Sequence, residues 1–167
     1  MEAEAMLERR WISPSPDATE RFGALLGERL SAGDVVALDG ELGSGKTTLV
    51  RGIARGLGVE DEVSSPSYAL MHTYAGRVNV YHFDAWMERR ERAFLEGGGA
   101  EWLESDGVAL IEWASQVREW LPSARVEIEI AHRPGPAGEE SGTRSVCIRG
   151  LGEAAAALVA ALPLAED

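Results

Sequence analysis

Apolar and polar positions along the chain follow two different periods. Between residues 22 and 30, four large apolar side chains recur at helical spacing, and Asp17 is a candidate N-cap for that helix. Residues 35–38 read Val-Val-Ala-Leu between turn residues, which is typical of a buried parallel strand. Helical spacing returns over 46–57, and Gly58 is a suitable C-terminal stop. The first third of the chain therefore predicts a helix, a buried strand and a second helix.

The rest of the chain alternates in the same way. Strands are predicted over 68–74 and 78–83, around an Ala-Gly-Arg turn that indicates a hairpin. Further strands are predicted over 108–111, 125–131 and 144–149, and helices over 88–104 in two short pieces, over 114–121 and over 153–162. Because strands alternate with helices, we expect an α/β fold with a mixed sheet and one hairpin.

Composition narrows the class of protein. The chain has 167 residues, 45% of them hydrophobic, so we expect one domain over 1–167, with a flexible Pro- and Gly-rich loop at about 133–143. Sixteen Lys and Arg against 28 Asp and Glu give a net charge of −12, which disfavours a free-standing nucleic-acid binder. Cys147 is the only cysteine, so a disulfide within the chain is excluded. No apolar run reaches the length of a membrane span, and we expect a cytoplasmic protein.

The strongest chemical signal is the stretch 40–47, Gly-Glu-Leu-Gly-Ser-Gly-Lys-Thr, which fits the phosphate-loop pattern G-x-x-x-x-G-K-[ST]. A predicted strand ends just before it and a predicted helix begins inside it. Its glycines allow several N–H groups to face one anion, while Glu41 and Leu42 contribute mainly backbone. Lys46 can reach the β- and γ-phosphates, and the Thr47 hydroxyl is the expected Mg²⁺ ligand. We therefore expect a P-loop NTPase-like three-layer sandwich with a mainly parallel central sheet.

Two carboxylates follow predicted strands and are candidates for the second half of such a site. Glu112 directly follows the strand predicted over 108–111, which is the position of a Walker-B acid. The alternative interpretation is an ordinary exposed glutamate. Asp84 follows the second strand of the hairpin, where it can orient water or reach the metal through water, or it simply caps a turn or a helix. We interpret His82 as half-buried packing. The serines of 64–67 either sense the γ-phosphate or form a solvated turn.

Together these segments resemble the TsaE (YjeE) family, the small bacterial P-loop ATPases of the pathway that makes N6-threonylcarbamoyladenosine in tRNA. The resemblance covers nearly the whole chain, in the family's order and spacing. It is carried by the phosphate loop through Thr48, Arg51-Gly52, Ser65-Pro-Ser-Tyr68, Tyr81-His-Phe-Asp84 and Ile111-Glu-Trp113.

The resemblance implies roles for particular residues. Family members bind ATP or ADP on the positions matching Glu41, Leu42, Gly43, Ser44, Gly45, Lys46, Thr47 and Thr48. It implies Mg²⁺ on Thr47 and Glu112, and a catalytic set of Lys46, Asp84 and Glu112. The switch or partner segment matches Ser65, Pro66, Ser67, Tyr68 and Trp113. Thr19 and Arg144 lie near family segments that line the base pocket.

Three positions depart from the commonest family pattern. Ser67 stands where Thr is usual, Trp86-Met87 where Tyr-Arg is common, and Ala114 where Pro is usual. A hydroxyl survives at position 67. Because Met87 stands where the family has the arginine of Tyr-Arg, any role of that arginine is absent here or moved to Arg89 or Arg90.

The resemblance also implies partners. TsaE-like proteins bind the TsaD–TsaB pair, which modifies adenosine 37 of tRNA, and their ATP hydrolysis, weak in isolation, allows repeated turnover. The acidic balance agrees with contact to tRNA only through that complex. Two alternatives stay open at this point: a P-loop small-molecule kinase, and a nucleotide-gated binding module with negligible hydrolysis. A GTPase is disfavoured because the chain contains no Asn-Lys-x-Asp motif.

Overall fold

The computed structural model describes residues 5–41, 43–64, 71–85, 93, 96–97, 101 and 106–165. The chain forms strands and helices in alternation around one sheet. The elements are β1 (Met6–Ser13), α1 (Pro16–Gly27), β2 (Val35–Asp39), α2 (Lys46–Gly56), β3 (Met71–Ala75), β4 (Asn79–Asp84), β5 (Gly107–Glu112), a 3₁₀ helix (Ala114–Trp120), β6 (Arg125–His132), β7 (Arg144–Leu151) and α3 (Glu153–Ala161).

The sheet has seven strands in the order β1-β7-β6-β2-β5-β4-β3. Its centre is parallel, because β6, β2, β5 and β4 all run in one direction. Both edges are antiparallel: β3 pairs with β4 as the predicted hairpin, and β7 and β1 close the other side. The expected mixed α/β fold with a mainly parallel centre is confirmed. The carboxyl ends of β2, β5 and β4 therefore meet at one edge, where α/β folds place ligands.

Alternation along the strands divides the core between the two faces of the sheet. One face carries Val36, Leu38 and Leu110, and it packs against α1, α2 and the end of α3. The other face carries Val35, Ala37 and Ile111 together with the rings of Tyr81 and Phe83, and the 3₁₀ helix packs on it in the part of the chain that is described. The parallel strands are thus apolar on both faces, as their uninterrupted apolar runs predicted.

Helices α1 and α2 approach each other so closely that glycines are needed between them. A Cβ on Gly52 would lie on the backbone of Glu20, and one on Gly23 would lie 2.6 Å from the carbonyl oxygen of Leu49. This contact fixes α2 against the core, and with α2 the loop that precedes it.

Several predicted elements need correction. Ser15, not Asp17, caps α1, because its side chain accepts a hydrogen bond from the Ala18 N–H. The stretch 114–120 is a 3₁₀ helix, and β1 was not predicted at all. By contrast, the segment 133–143 contains neither helix nor strand, in agreement with the predicted loop.

Most of 88–104 lies outside the described residues. Among the residues that are described, we find no helix long and apolar enough to cross a membrane.

Candidate nucleotide-binding site

The loop between β2 and α2 has the backbone that a phosphate loop requires. Gly43 and Gly45 adopt φ of 77° and 110°, in the region that disfavours side chains, and Gly45 is the N-cap of α2. The Ser44 Oγ is buried and has no hydrogen-bond partner among the described residues. The first N–H groups of α2 have no partner within the helix. The loop therefore presents donors and the positive end of a helix dipole to one point in space.

Lys46 is the first residue of α2 and is only 5% exposed. Its Nζ donates to the carbonyl oxygens of Gly40 and Glu41, the latter at 3.0 Å, and lies 4.0 Å from the ring centroid of Trp113. Burial lowers the pKa of Lys46, although the carboxylates of Glu112, Asp84 and Asp39 act in the opposite direction. The side chain therefore folds back against the backbone of its own loop.

The predicted carboxylates lie together at the edge of the parallel strands. Asp84 and Glu112 are opposite each other in the β4–β5 register, and Leu38 of β2 is opposite Glu112 on the other side. Glu112 is 3% and Asp84 6% exposed, so Glu112 is not the ordinary exposed glutamate of the alternative interpretation. The Thr47 hydroxyl lies 3.4 Å from Glu112 Oε1, which is a long hydrogen bond. The structure thus brings Lys46, Thr47, Asp84 and Glu112 to one site.

Sequence reasoning missed His82 as a site residue. Its imidazole is fully buried, and Nε2 lies 2.6 Å from Glu112 Oε2. The interpretation as half-buried packing is therefore wrong. Strand alternation contained the missing signal, because His82 and Asp84 are two residues apart on β4 and so project from the same face. That face is also the one against which α2 packs.

Thr47 and Glu112 fit the demands of Mg²⁺. This ion prefers oxygen ligands and is held by one or two protein groups together with phosphate oxygens and water. A hydroxyl and a carboxylate oxygen at 3.4 Å, beside the mouth of the phosphate loop, provide such a pair.

Arg144 braces the phosphate loop from β7. Its Nε donates to the Ser44 carbonyl at 2.7 Å, and its NH1 donates to the carbonyls of Ser141 and Thr143 in the preceding loop. It also lines a polar groove of about 530 Å³ beside Gly43, with His132 and Glu140 on the other walls. The role of Arg144 in a base pocket stays a prediction.

Thr19 is placed differently. Its hydroxyl is buried and lies 2.7 Å from the Ser13 hydroxyl, at the start of α1. Its second contact is the Ser15 carbonyl, to which it donates. The polar atom is therefore engaged in the turn that begins α1, and its base-pocket role also stays a prediction.

Trp113 adopts φ of 59°, the only positive φ among the described non-glycine residues. Such a conformation is costly for a bulky residue and is concentrated at functional sites. Here it places the indole over Lys46. The other predicted positions, Leu42, Ser65, Pro66, Ser67, Tyr68, Trp86, Met87, Arg89 and Arg90, lie outside the described residues.

The fold and this site define a P-loop NTPase-like α/β domain. A family model described as "Threonylcarbamoyl adenosine biosynthesis protein TsaE" matches residues 13–140. The chain belongs to the TsaE family.

Curated relatives and a solved structure agree with that assignment. A "tRNA threonylcarbamoyladenosine biosynthesis protein TsaE" of Treponema pallidum is 38% identical over 121 residues, covering 72% of this chain and 90% of the relative. A Bacillus subtilis protein of the same description is 36% identical over 126 residues, covering 75% and 78%. The crystal structure of YdiB from Bacillus subtilis superposes with a TM-score of 0.79 at 27% identity, over 96% of this chain and 97% of that one.

Proposed function

We propose that this protein binds Mg·ATP, hydrolyses it slowly by itself, and couples that hydrolysis to the modification of tRNA adenosine 37 by the TsaD–TsaB pair. The observation that carries the proposal is the convergence of Lys46, Thr47, Asp84 and Glu112 on the phosphate-loop edge of the sheet. The family and the names of the curated relatives support the pathway. The proposal includes the cytoplasmic location expected from the sequence.

In this proposal, the loop N–H groups and Lys46 bind the phosphates. Lys46 starts with its ammonium group on two loop carbonyls, in a buried position where its charge has little solvent to stabilise it. A triphosphate therefore offers this ammonium group a stronger acceptor than a neutral carbonyl. When ATP binds, Lys46 therefore exchanges its hydrogen bonds to neutral loop carbonyls for hydrogen bonds to charged phosphate oxygens.

Thr47 and Glu112 hold the metal side of the site. Bound Mg²⁺ would neutralise the charge that develops on the phosphate oxygens. Asp84 lies one strand further from the loop, opposite Glu112, and we assign it to orientation of the attacking water. Its burial keeps the carboxylate away from bulk water.

Phosphate release from Mg·ATP tests the proposal. The protein is assayed alone and with purified TsaD–TsaB, and Asp84→Asn is the control variant because it keeps the shape of the side chain. We expect slow release that rises with the pair and is lost in Asp84→Asn. A rate of phosphate release that does not change when TsaD–TsaB is added would separate the ATPase from this pathway. A phosphorylated small molecule in place of free phosphate would indicate a kinase.

A further inference from the structure

The buried pair of His82 and Glu112 has a geometry that simple packing does not require. Glu112 is the proposed metal-side carboxylate, and one of its oxygens, Oε1, faces the Thr47 hydroxyl at 3.4 Å. The other, Oε2, is held by His82 Nε2 at 2.6 Å, a short contact for this kind of bond. The two oxygens of one carboxylate thus have different partners.

The direction of the bond follows from the chemistry of the two groups. In the ionised form in which a carboxylate binds a metal ion, Glu112 only accepts hydrogen bonds, so His82 Nε2–H is the donor of this bond. The Nδ1 atom is buried and has no hydrogen-bond partner among the described residues. A neutral imidazole with its proton on Nε2 leaves only a bare acceptor there, and not an unpaired N–H group. The surroundings therefore direct the donor of His82 to Glu112.

The two side chains come from neighbouring strands, so the pair is fixed by the sheet. His82 lies two residues before the end of β4, and Glu112 is the last residue of β5. Both strands are central and parallel-paired, and the residue opposite His82 on β5 is the buried Leu110. Both side chains are almost completely buried.

We infer that His82 is a positioning residue for Glu112, whose Nε2–H holds Oε2 so that Oε1 is presented to Thr47 and to the metal side of the site. This inference rests on the proposed function. Groups that orient a metal-binding carboxylate in this way contribute about 10–100-fold to metal affinity or activity when they are removed.

The test compares two amides of different length. The side-chain nitrogen of Gln can reach the place of His Nε2, whereas that of Asn ends near Nδ1. We expect His82→Asn to weaken Mn²⁺ binding to the protein–ADP complex, measured by electron paramagnetic resonance, by about 10–100-fold. His82→Gln should keep most of the affinity. The affinity for ADP in EDTA, measured by calorimetry, should stay within about twofold in both variants if His82 acts only through the carboxylate.

Two controls separate positioning from general damage. His72 lies opposite His82 on β3, but its Nδ1 contacts the Tyr74 hydroxyl at 3.0 Å, so His72→Gln should leave Mn²⁺ binding unchanged. On a Glu112→Gln background, His82→Asn should weaken Mn²⁺ binding no further, since the carboxylate it positions is gone. Thermal unfolding of each variant shows that it is folded.

The outcomes are distinct. Wild-type Mn²⁺ affinity in His82→Asn, equal losses in the Asn and Gln variants, or a further loss on the Glu112→Gln background would each overturn the inference. A loss of ADP affinity in EDTA as large as the loss of Mn²⁺ affinity would also overturn it. If the wild-type protein with ADP binds no Mn²⁺ at all, the proposed function fails and the inference fails with it.

Discussion

Two clusters of charged side chains lie on the same sheet and are built in opposite ways. On the antiparallel side, Arg149 donates to Glu8 at 2.8 Å and to Glu129 at 3.1 Å, and Arg125 is paired with Glu127. These groups are partly exposed. Arg149 pairs across neighbouring strands, whereas Arg125 and Glu127 lie on the same strand, β6. At the carboxyl edge of the parallel strands, Lys46, Asp84 and Glu112 are buried, and the ammonium group of Lys46 rests on backbone carbonyls.

The difference indicates where the molecule stabilises its fold and where it prepares for a ligand. Exposed ion pairs contribute about 0–1 kcal/mol each and can be lost at little cost. Removing a charged group from water is costly, and buried charged groups are concentrated at functional sites. The nucleotide edge, and not the Arg149 cluster, should therefore respond to ATP.

Replacing Lys46 by Met should have the largest effect on nucleotide affinity. Met keeps the apolar stem that packs in the loop and removes the ammonium group, so ATP binding should weaken by about 10–100-fold, as expected for the loss of a charge-assisted bond. Calorimetric titration of ATP measures it. Arg149→Met is the matched control from the other cluster. Equal ATP affinities in Lys46→Met and Arg149→Met would contradict the proposed difference between the two clusters.

Glu112→Ala should affect hydrolysis more than binding. Loss of the carboxylate removes the partner of both Thr47 and His82, and we expect Mg²⁺-dependent phosphate release to fall by at least about tenfold. The affinity for ADP in EDTA should change far less. Glu129→Ala, which removes a carboxylate of the Arg149 cluster, should leave both quantities at the wild-type value. Undiminished release by Glu112→Ala would remove this residue from the metal site.

Arg144→Ala should have an intermediate effect, because it acts on the shape of the loop. Losing the 2.7 Å bond to the Ser44 carbonyl releases the loop from β7, and a bond of this kind contributes about 1 kcal/mol, or roughly fivefold in affinity for ADP. Fluorescence titration with a labelled ADP gives the value. Arg133→Ala, at the start of the same 133–143 loop, serves as the control. An unchanged affinity in Arg144→Ala would show that the loop holds its conformation alone.

Glu8→Gln should have the smallest effect, and only on stability. Hydrogen bonding to Arg149 lowers the pKa of Glu8 below its usual 4.5. A lowered carboxyl pKa contributes stability above the unfolded value, and this contribution is lost as the pH falls through the folded one. Wild type should therefore exceed Glu8→Gln slightly in urea unfolding at neutral pH, and the two should converge well below pH 4.5. A difference that persists in acid would contradict the pairing, and ATP affinity should not change at any pH.

The central elements were predictable from the sequence because their signals are local. The buried runs 35–38 and 108–111, the helical spacing in α2 and the phosphate-loop pattern each lie within a dozen residues. Strand β1 was not predictable in this way, because three charges in a row interrupt its alternation. The structure accommodates the inward charge of Arg9 by letting its guanidinium donate to carbonyls at the end of α3, about 150 residues away in sequence.

The site also contains contacts that local sequence patterns do not predict. The motif located Lys46 and Thr47, but it does not reveal that the ammonium group of Lys46 lies against the ring of Trp113, which follows β5 much later in the sequence. The His82–Glu112 pair joins two strands 30 residues apart, and only the strand order reveals that they are neighbours. Partnerships between distant segments are a property of the topology, which no local pattern contains.

Phosphate release from Mg·ATP by wild type, Asp84→Asn and Arg149→Met, measured side by side, tests the central claim most directly. The account predicts that Arg149→Met hydrolyses ATP at the wild-type rate and that Asp84→Asn does so at least about tenfold more slowly. Equal rates for wild type and Asp84→Asn, or an equal loss in both variants, would contradict the claim that the buried edge of the parallel strands performs the chemistry.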